Sequence, residues 1–222
     1  SAQAVAVLLA IWKLGAIAVP FPVSLSSQKV AERCVSLNIR HRLTAHDLQK
    51  KRSDFFETIP TEELPSEYPC LVLFSRGTTG EPKPLVHTHA GVLAQVAKEF
   101  WFHWEFSQSD VSLWCEPFGS LMNLWQIIGT LHFGGTAVFF QGKQNASSAQ
   151  RLLKLCASER VTHLGFSPST AHALKTQIGD TCSKFKLSQL RVLSASGEPW
   201  DVETYRWCFQ KLGRGRLPMI TL

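Results

Sequence analysis

One stretch of the chain gathers the residue types that hold an anion. From Leu71 an apolar run of four leads through Ser75 and Arg76 into Gly77, Thr78, Thr79 and Gly80, with Lys83 three positions further on. Gly77 and Gly80 let the backbone turn so that its N–H groups converge, Thr78 and Thr79 add hydroxyl donors, and the Lys83 ammonium adds a point charge. That is the composition of a phosphate-binding loop. It is not a Walker loop, because Glu81 and Pro82 separate Gly80 from Lys83 and no Ser or Thr follows the lysine. From composition alone a glycine-rich β-turn accounts for the same residues, so both readings stand at this point.

Other chemistries find less support. No G-x-S-x-G elbow is present: Ser196-Gly197 and Gly165-Phe166-Ser167 lack the second glycine at the required spacing. Gly213 and Gly215 lack the third glycine of a dinucleotide fingerprint. His87 and His89 are not expected to form a two-histidine metal site; buried or loop histidines account for them. The six cysteines are no closer than 26 positions apart, which excludes a C-x-x-C zinc or dithiol pair. Four lie in apolar stretches, where a free thiol behaves as a small hydrophobe. An intracellular, reducing compartment is expected, the cytoplasm first. Asn145 to Ser147 forms a glycosylation tripeptide that recurs by chance.

The elements that must position the loop follow from periodicity. A helix is predicted over Gln3 to Leu14, a strand around Ala16 to Phe21, a helix from Ser26 or Ser27 to Leu37 and a short strand over Ile39 to Leu43. Residues 49–68 are charged, hold Pro60 and Pro65 and lack an apolar period, as an exposed linker would. Strands and helices then alternate. Strands are predicted at Cys70 to Phe74, Val111 to Cys115, Thr136 to Phe140, Thr162 to Phe166, Arg191 to Ser194 and Met219 to Leu222. Between them come helices at Gly91 to Phe102, Leu121 to Leu131, Ser147 to Arg160, Ser169 to Ile178 and Asp201 to Leu212. Such alternation implies an α/β fold with a mainly parallel sheet and helices on both faces, and ligands bind such sheets at the carboxyl ends of the strands. The expected organisation is a helix-strand-helix segment at 1–48, the linker at 49–68 and a core at 69–222.

Composition agrees with a globular protein: 222 residues, 45% hydrophobic and 18% charged. The stretch from Ala4 to Val23 approaches a membrane span in length, but Lys13, Gly15, Pro20 and Pro22 interrupt it. The net charge of +6 allows anionic partners. No nucleic-acid module and no basic segment interleaved with stacking aromatics occurs, so nucleic acid is not an expected partner.

Taken as a whole, Ser75 to Lys83 with His87-Thr88-His89 behind it resembles the phosphate loop of the adenylate-forming superfamily, which comprises acyl-CoA synthetases, luciferases and peptide-synthetase adenylation domains. Trp114 to Trp125, followed by Gly129 and Gly134, is similar to the acetyl- and acetoacetyl-CoA synthetase branch. Thr162 to Pro168 resembles the next strand and loop. Leu190 to Pro199 resembles the strand and adenine-side loop, and Leu9 to Ala16 an early helix-strand pair. The resemblance implies ATP, magnesium and coenzyme A as cofactors and a small carboxylate as substrate. A carboxylate would be adenylated and its acyl group passed to coenzyme A. Gly77, Thr78, Thr79, Gly80 and Lys83 would bind the ATP phosphates, Gly197, Glu198 and Pro199 would line the adenine pocket, and Gly119, Ser120 and Trp125 would flank the acyl pocket, although Trp125 is equally a core aromatic.

Three departures from the family pattern bear on activity. Arg76 stands where the family has a small hydroxyl residue, Pro84 replaces a glycine after the lysine, and Ser120 stands where this branch has a large aromatic. The chain reaches Leu222 before the family's Thr-Glu motif, ribose aspartate, hinge and catalytic lysine. No catalytic residue is therefore expected within it, and a remnant of a synthetase serving as a binding module is the competing expectation. Because Arg76 brings a long cation into a loop that needs close approach of backbone to anion, Arg76→Ser in the full-length protein is expected to raise carboxylate-dependent pyrophosphate exchange. A fall in exchange would instead identify the guanidinium as a phosphate ligand.

Overall fold

A computed structural model describes residues 2–44, 46–47, 58–75, 80–140 and 146–222, with the side chains of 146–147 excepted. The chain divides into two compact units, Ser1–Val92 and Leu93–Leu222. The fold is α/β.

The first unit holds α1 (Ala2–Lys13), α2 (Ser27–Ser36), β1 (Pro69–Phe74), β2 (Pro84–Thr88) and the start of α3 (His89–Phe102). Ser26 caps α2 by accepting the Lys29 N–H, as its position before the periodic apolar run predicts. β1 is buried along Cys70 to Leu73. It pairs antiparallel with β2 in the register Leu71 to His87, Val72 to Val86 and Leu73 to Leu85. Among the described residues its other edge carries only Ala18, whose N–H donates to the Cys70 carbonyl at 2.9 Å and whose carbonyl accepts the Val72 N–H at 2.9 Å. The strand expected over Ala16 to Phe21 is thus a single bridge, since Pro20 and Pro22 bring no N–H to a ladder. No strand forms at Ile39 to Leu43. The Ile39 N–H is spent on the Cys34 carbonyl at the end of α2, and Arg40 to Arg42 offer no apolar face. Of the expected linker, residues 49–57 lie outside the described residues; 58–68 carry neither helix nor strand.

The second unit continues α3 and adds β3 (Val111–Trp114), α4 (Leu121–His132), β4 (Thr136–Val138), α5 (Ala146–Ser158), β5 (His163–Phe166), α6 (Pro168–Ile178), β6 (Val192–Ala195), α7 (Val202–Trp207) and β7 (Met219–Thr221). Its five strands are all parallel in the order β4-β3-β5-β6-β7. Leu113, Leu164 and Leu193 are aligned across three strands. They point into one core with Leu153 of α5, Leu174 of α6 and Trp207 of α7. Ser112, His163 and the residues two further on point the other way. There Ser112 meets Thr130 of α4 at 2.6 Å, and the Gln126 amide donates to the Ser112 carbonyl and hydroxyl, both at 3.0 Å. Helices therefore cover both faces. Gly165 lies flat under the Trp114 ring, and any Cβ there would collide with it.

His163 and Trp104 join this second face. The Trp104 indole N–H donates to Ser194 Oγ at 2.7 Å, and the Trp104 carbonyl lies 2.8 Å from His163 Nε2. A carbonyl only accepts, so Nε2 carries the proton and Nδ1 is left to accept from Thr162 Oγ1 at 2.8 Å. Burial holds the His163 pKa below its ordinary 6.5, against smaller opposing effects of the Trp104 carbonyl and Asp110. The ring is thus neutral, and buried Asp110 takes its cation from Arg191 Nη1 at 2.7 Å. Burial works to raise the Asp110 pKa, but hydrogen bonds led by those from Ser107 outweigh it and hold it below 3.8.

All six cysteines are unpaired. Burial pushes the Cys156 and Cys208 thiols up to about 12, so both act as apolar packing. Among the described residues no helix is long and apolar enough to cross a membrane.

Both His163 and Asp110 bind protons more weakly folded than unfolded, so stability must fall as pH falls. Urea unfolding midpoints are expected to be highest above pH 6.5, to decline below it as His163 is forced to protonate, and to decline again below pH 3.8 through Asp110. His163→Gln should flatten the first decline; an unchanged profile in that variant would exclude His163 as its source.

Candidate functional site

In the first unit, Ser75 follows the buried β1 directly. Its N–H donates to the Lys83 carbonyl at 2.9 Å, and its hydroxyl accepts the Lys83 N–H at 2.9 Å. This reciprocal pair closes the base of the loop whose residues 76–79 lie outside the described residues, Arg76, Gly77, Thr78 and Thr79 among them. Pro84 takes the first place in β2, opposite Phe74, a position where a missing N–H is tolerated. The consequence is that Lys83 is pinned through its backbone while its side chain stays exposed. At Gly80 a Cβ would meet nothing within 4 Å. No neighbour among the described residues demands glycine there.

In the second unit the arrangement of strands creates a switch point. From β3 the chain moves outward to β4 through α4 on one face, then returns past β3 to β5, β6 and β7 through α5, α6 and α7 on the other. The two directions part between β3 and β5, so a crevice is left at their carboxyl ends, the position where open parallel sheets bind ligands. Three loops border that edge: 115–120 after β3, 167 after β5 and 196–201 after β6.

Of the residues singled out by sequence, Gly119 and Ser120 lie in the first of these loops. Gly119 is buried, and Ser120 caps α4 by accepting the Asn123 N–H at 3.2 Å. Trp125 is 5% exposed, wedged against Phe100, Trp104 and Trp114 with its indole N–H donating to Glu99 Oε2 at 2.6 Å. Gly197, Glu198 and Pro199 lie exposed in the third loop. Gly197 has φ +96°, a conformation costly for any residue with a Cβ.

The structure adds a partner that sequence reasoning passed over. Both oxygens of Glu198 are taken by Ser169: Oε2 accepts its N–H at 3.0 Å and Oε1 its hydroxyl at 3.2 Å. Ser169 is in the first turn of α6, after the capping Ser167 and Pro168 at the helix start. The carboxylate thus satisfies an orphan N–H at a helix N-terminus and ties the loop after β6 to the loop after β5. Ser167-Pro168 signals a helix start in the sequence, yet nothing there signals a partner 29 positions away. His87 lies in β2 and His89 opens α3, and among the described residues no group of three or more His, Cys, Asp or Glu could hold a metal.

The family described as AMP-binding enzyme matches residues 41–221. Acetyl-coenzyme A synthetase of Yersinia pestis (strain Pestoides F) is 28% identical over 177 residues, covering 79% of this chain and 26% of that enzyme. The acetyl-coenzyme A synthetase of Rhodobacter capsulatus is 30% identical over 163 residues, covering 72% of this chain and 25% of the relative. Among solved structures, acetoacetyl-CoA synthetase from Streptomyces lividans superposes with a TM-score of 0.77 at 19% identity, covering 99% of this chain and 40% of that one. A nonribosomal peptide synthetase gives 0.73 at 18% identity, covering 95% and 24%. These likenesses agree on the fold, and the chain spans about a quarter of the length of the acetyl-coenzyme A synthetases it matches.

The open space at Gly80 separates folding from ligand approach. Gly80→Ala is expected to leave folding stability within about 1 kcal/mol while weakening ATP binding about tenfold, which is 1.4 kcal/mol. Denaturant titration beside nucleotide titration checks both, and unchanged ATP affinity would remove the loop from the phosphate site.

Proposed function

The chain belongs to the AMP-binding enzyme family, and from that premise we propose that it is part of an ATP-dependent ligase joining a short-chain carboxylic acid to the thiol of coenzyme A. The observation that carries this reading is that the family match spans residues 41–221 and so takes in both the Ser75 to Lys83 loop and the Gly197 to Pro199 loop.

In the proposed reaction a carboxylate oxygen attacks the α-phosphorus of ATP, the bond to the pyrophosphate bridging oxygen breaks, and its electron pair leaves with pyrophosphate. The thiol sulfur then attacks the acyl carbon of the adenylate, and AMP departs. Positioning and electrostatics dominate such phosphoryl chemistry. Lys83 would set its ammonium against the negative charge that builds on pyrophosphate, its backbone fixed by Ser75. Gly77, Thr78, Thr79 and Gly80 would supply the converging N–H and hydroxyl donors. The loop Gly197 to Pro199 would receive the adenine, with the Glu198 carboxylate occupied in holding the loop on Ser169 and the backbone left to face the base. Gly119 and Ser120 would border the acyl group, with Trp125 stiffening the wall from behind.

Magnesium is part of the family expectation. The described residues gather no acidic cluster to hold it, so none is assigned to the metal and no step is routed through it. ATP and coenzyme A as substrates suit a reducing interior, as do six unpaired thiols.

The test is carboxylate-dependent exchange of pyrophosphate into ATP, measured on the product of the full open reading frame over a series of straight-chain acids. Exchange with the short acids is expected, and Lys83→Ala should reduce it roughly a hundredfold, the usual effect of removing one charge-stabilising donor. The exposed Lys83 side chain makes that variant safe for folding. Exchange with no acid, or exchange indifferent to Lys83, would overturn the reading.

A further inference from the structure

The opposite edge of the parallel sheet carries a second concavity. A 3-10 turn, Gly179–Lys184, follows α6, and a π turn, Cys208–Leu212, follows α7. Both precede the strands they lead to, so both lie beyond the amino ends of β6 and β7. The four residues of β6 set this edge about 13 Å from the loop of Gly197. Between the turns is a cavity of about 390 Å³, within the size range of small-molecule sites.

Its lining divides by chemistry. Phe185, Leu187 and Leu212 make an apolar floor, and Lys211 and Arg214 stand at the rim. Lys211 Nζ lies 2.6 Å from Asp180 Oδ1, an exposed pair that solvent screens. Arg214 has no acidic partner among the described residues. The field of both cations reaches the cavity wall: burial pushes the Cys182 thiol up, and Arg214 and then Lys211 draw it back down.

The backbone at the rim is unusual as well. The helix widens so that the Gly213 N–H donates to the Cys208 carbonyl five residues back at 2.8 Å, a π geometry that recurs at functional sites. Arg214 then sits at φ +54°, a conformation that costs a non-glycine residue roughly 1 kcal/mol. No hydrogen bond or ion pair of its side chain within the described residues offsets that cost. The turn is closed by the Gly215 N–H on the Phe209 carbonyl at 2.8 Å, so this conformation ends the helix and places Arg214 at the rim.

We propose that this cavity binds a small organic anion, with its charged group between Lys211 and Arg214 and its apolar body on Phe185 and Leu187. A bare inorganic anion would leave the floor wet, and a neutral apolar molecule would leave Arg214 without a counter-charge. Only a ligand with both parts uses both halves of the lining. This site lies at the other edge of the sheet from the Gly197 loop, and the proposal does not depend on the ATP reading.

Phenyl phosphate is the probe, with inorganic phosphate and phenol as its two halves, each titrated into the protein while backbone amide resonances are followed. Phenyl phosphate is expected to shift the amides of Ser183 to Leu187 and Gln210 to Gly215 and to bind at least tenfold more tightly than either half. Arg214→Gly should weaken it at least tenfold while holding or raising the urea midpoint, since glycine relieves the strained φ. Lys211→Gln, an exposed substitution remote from the core, gives the same readout should Arg214→Gly fail to fold. Shifts confined to other residues, equal binding of inorganic phosphate, or affinity unchanged in both variants would overturn the proposal.

Discussion

A parallel sheet covered on both faces leaves no face for water, and every polar group that points off it must find its partner inside. The second unit meets most of that demand by sorting its faces, with the Trp114 indole N–H and the Gln126 amide oxygen left without a hydrogen-bond partner among the described residues. Leucines occupy the aligned positions Leu113, Leu164 and Leu193 on one side, while Ser112, His163 and Ser194 on the other are each bonded to Gln126, Thr130 or Trp104. The period of two makes the sorting all or nothing: a slip of one residue would carry the serines into the leucine core and the leucines onto the polar network. Trp104 fastens this register most directly, since its indole N–H holds β6 and its carbonyl holds β5.

From that register the edges follow. With β3, β5 and β6 fixed in parallel, the loops after them must emerge side by side, and the reversal of chain direction between β3 and β5 leaves the crevice open. The helices that start there are capped by the loops themselves, Ser120 on α4, Ser167 on α6 and Asp201 on α7. Each cap satisfies an N–H that would otherwise be orphaned. In the first unit the fixation is of another kind: Ser75 and Lys83 exchange hydrogen bonds across the base of the loop proposed to bind phosphate.

Much of this was legible in the sequence because the signals were local. Ser26 before a periodic run, Ser167-Pro168 before α6 and the continuous apolar runs of β3, β5 and β6 each carry their own physical reason. What stayed hidden depended on distant partners. β2 carries no signal of its own, because Leu85 and Val86 follow two prolines and are too few to show a period; its pairing with β1 comes from register alone. The strands expected at Ala16 to Phe21 and Ile39 to Leu43 had the propensity but no ladder to join. The end of α7 kept its apolar spacing while its hydrogen bonds lengthened to the π pattern, a change that periodicity barely registers. At the candidate site the glycines and lysine were visible by type, whereas the Glu198 to Ser169 tie and the Arg191 to Asp110 pair join residues 29 and 81 positions apart and leave no pattern in the sequence.

The Glu198 to Ser169 tie also connects the two levels of the structure. β5 and β6 are aligned through Phe166 and Ala195, so Ser169 and Glu198 each stand three residues beyond a matched pair. Their hydrogen bonds can form only while that alignment holds. Gly197, at φ +96° between the strand and the carboxylate, provides the turn that brings Glu198 back over α6. The conformation of this exposed loop is therefore set by packing in the buried sheet, by way of one carboxylate and one serine. A mutation in the Trp104 network would reach the loop through the strands, without touching any residue of the loop itself.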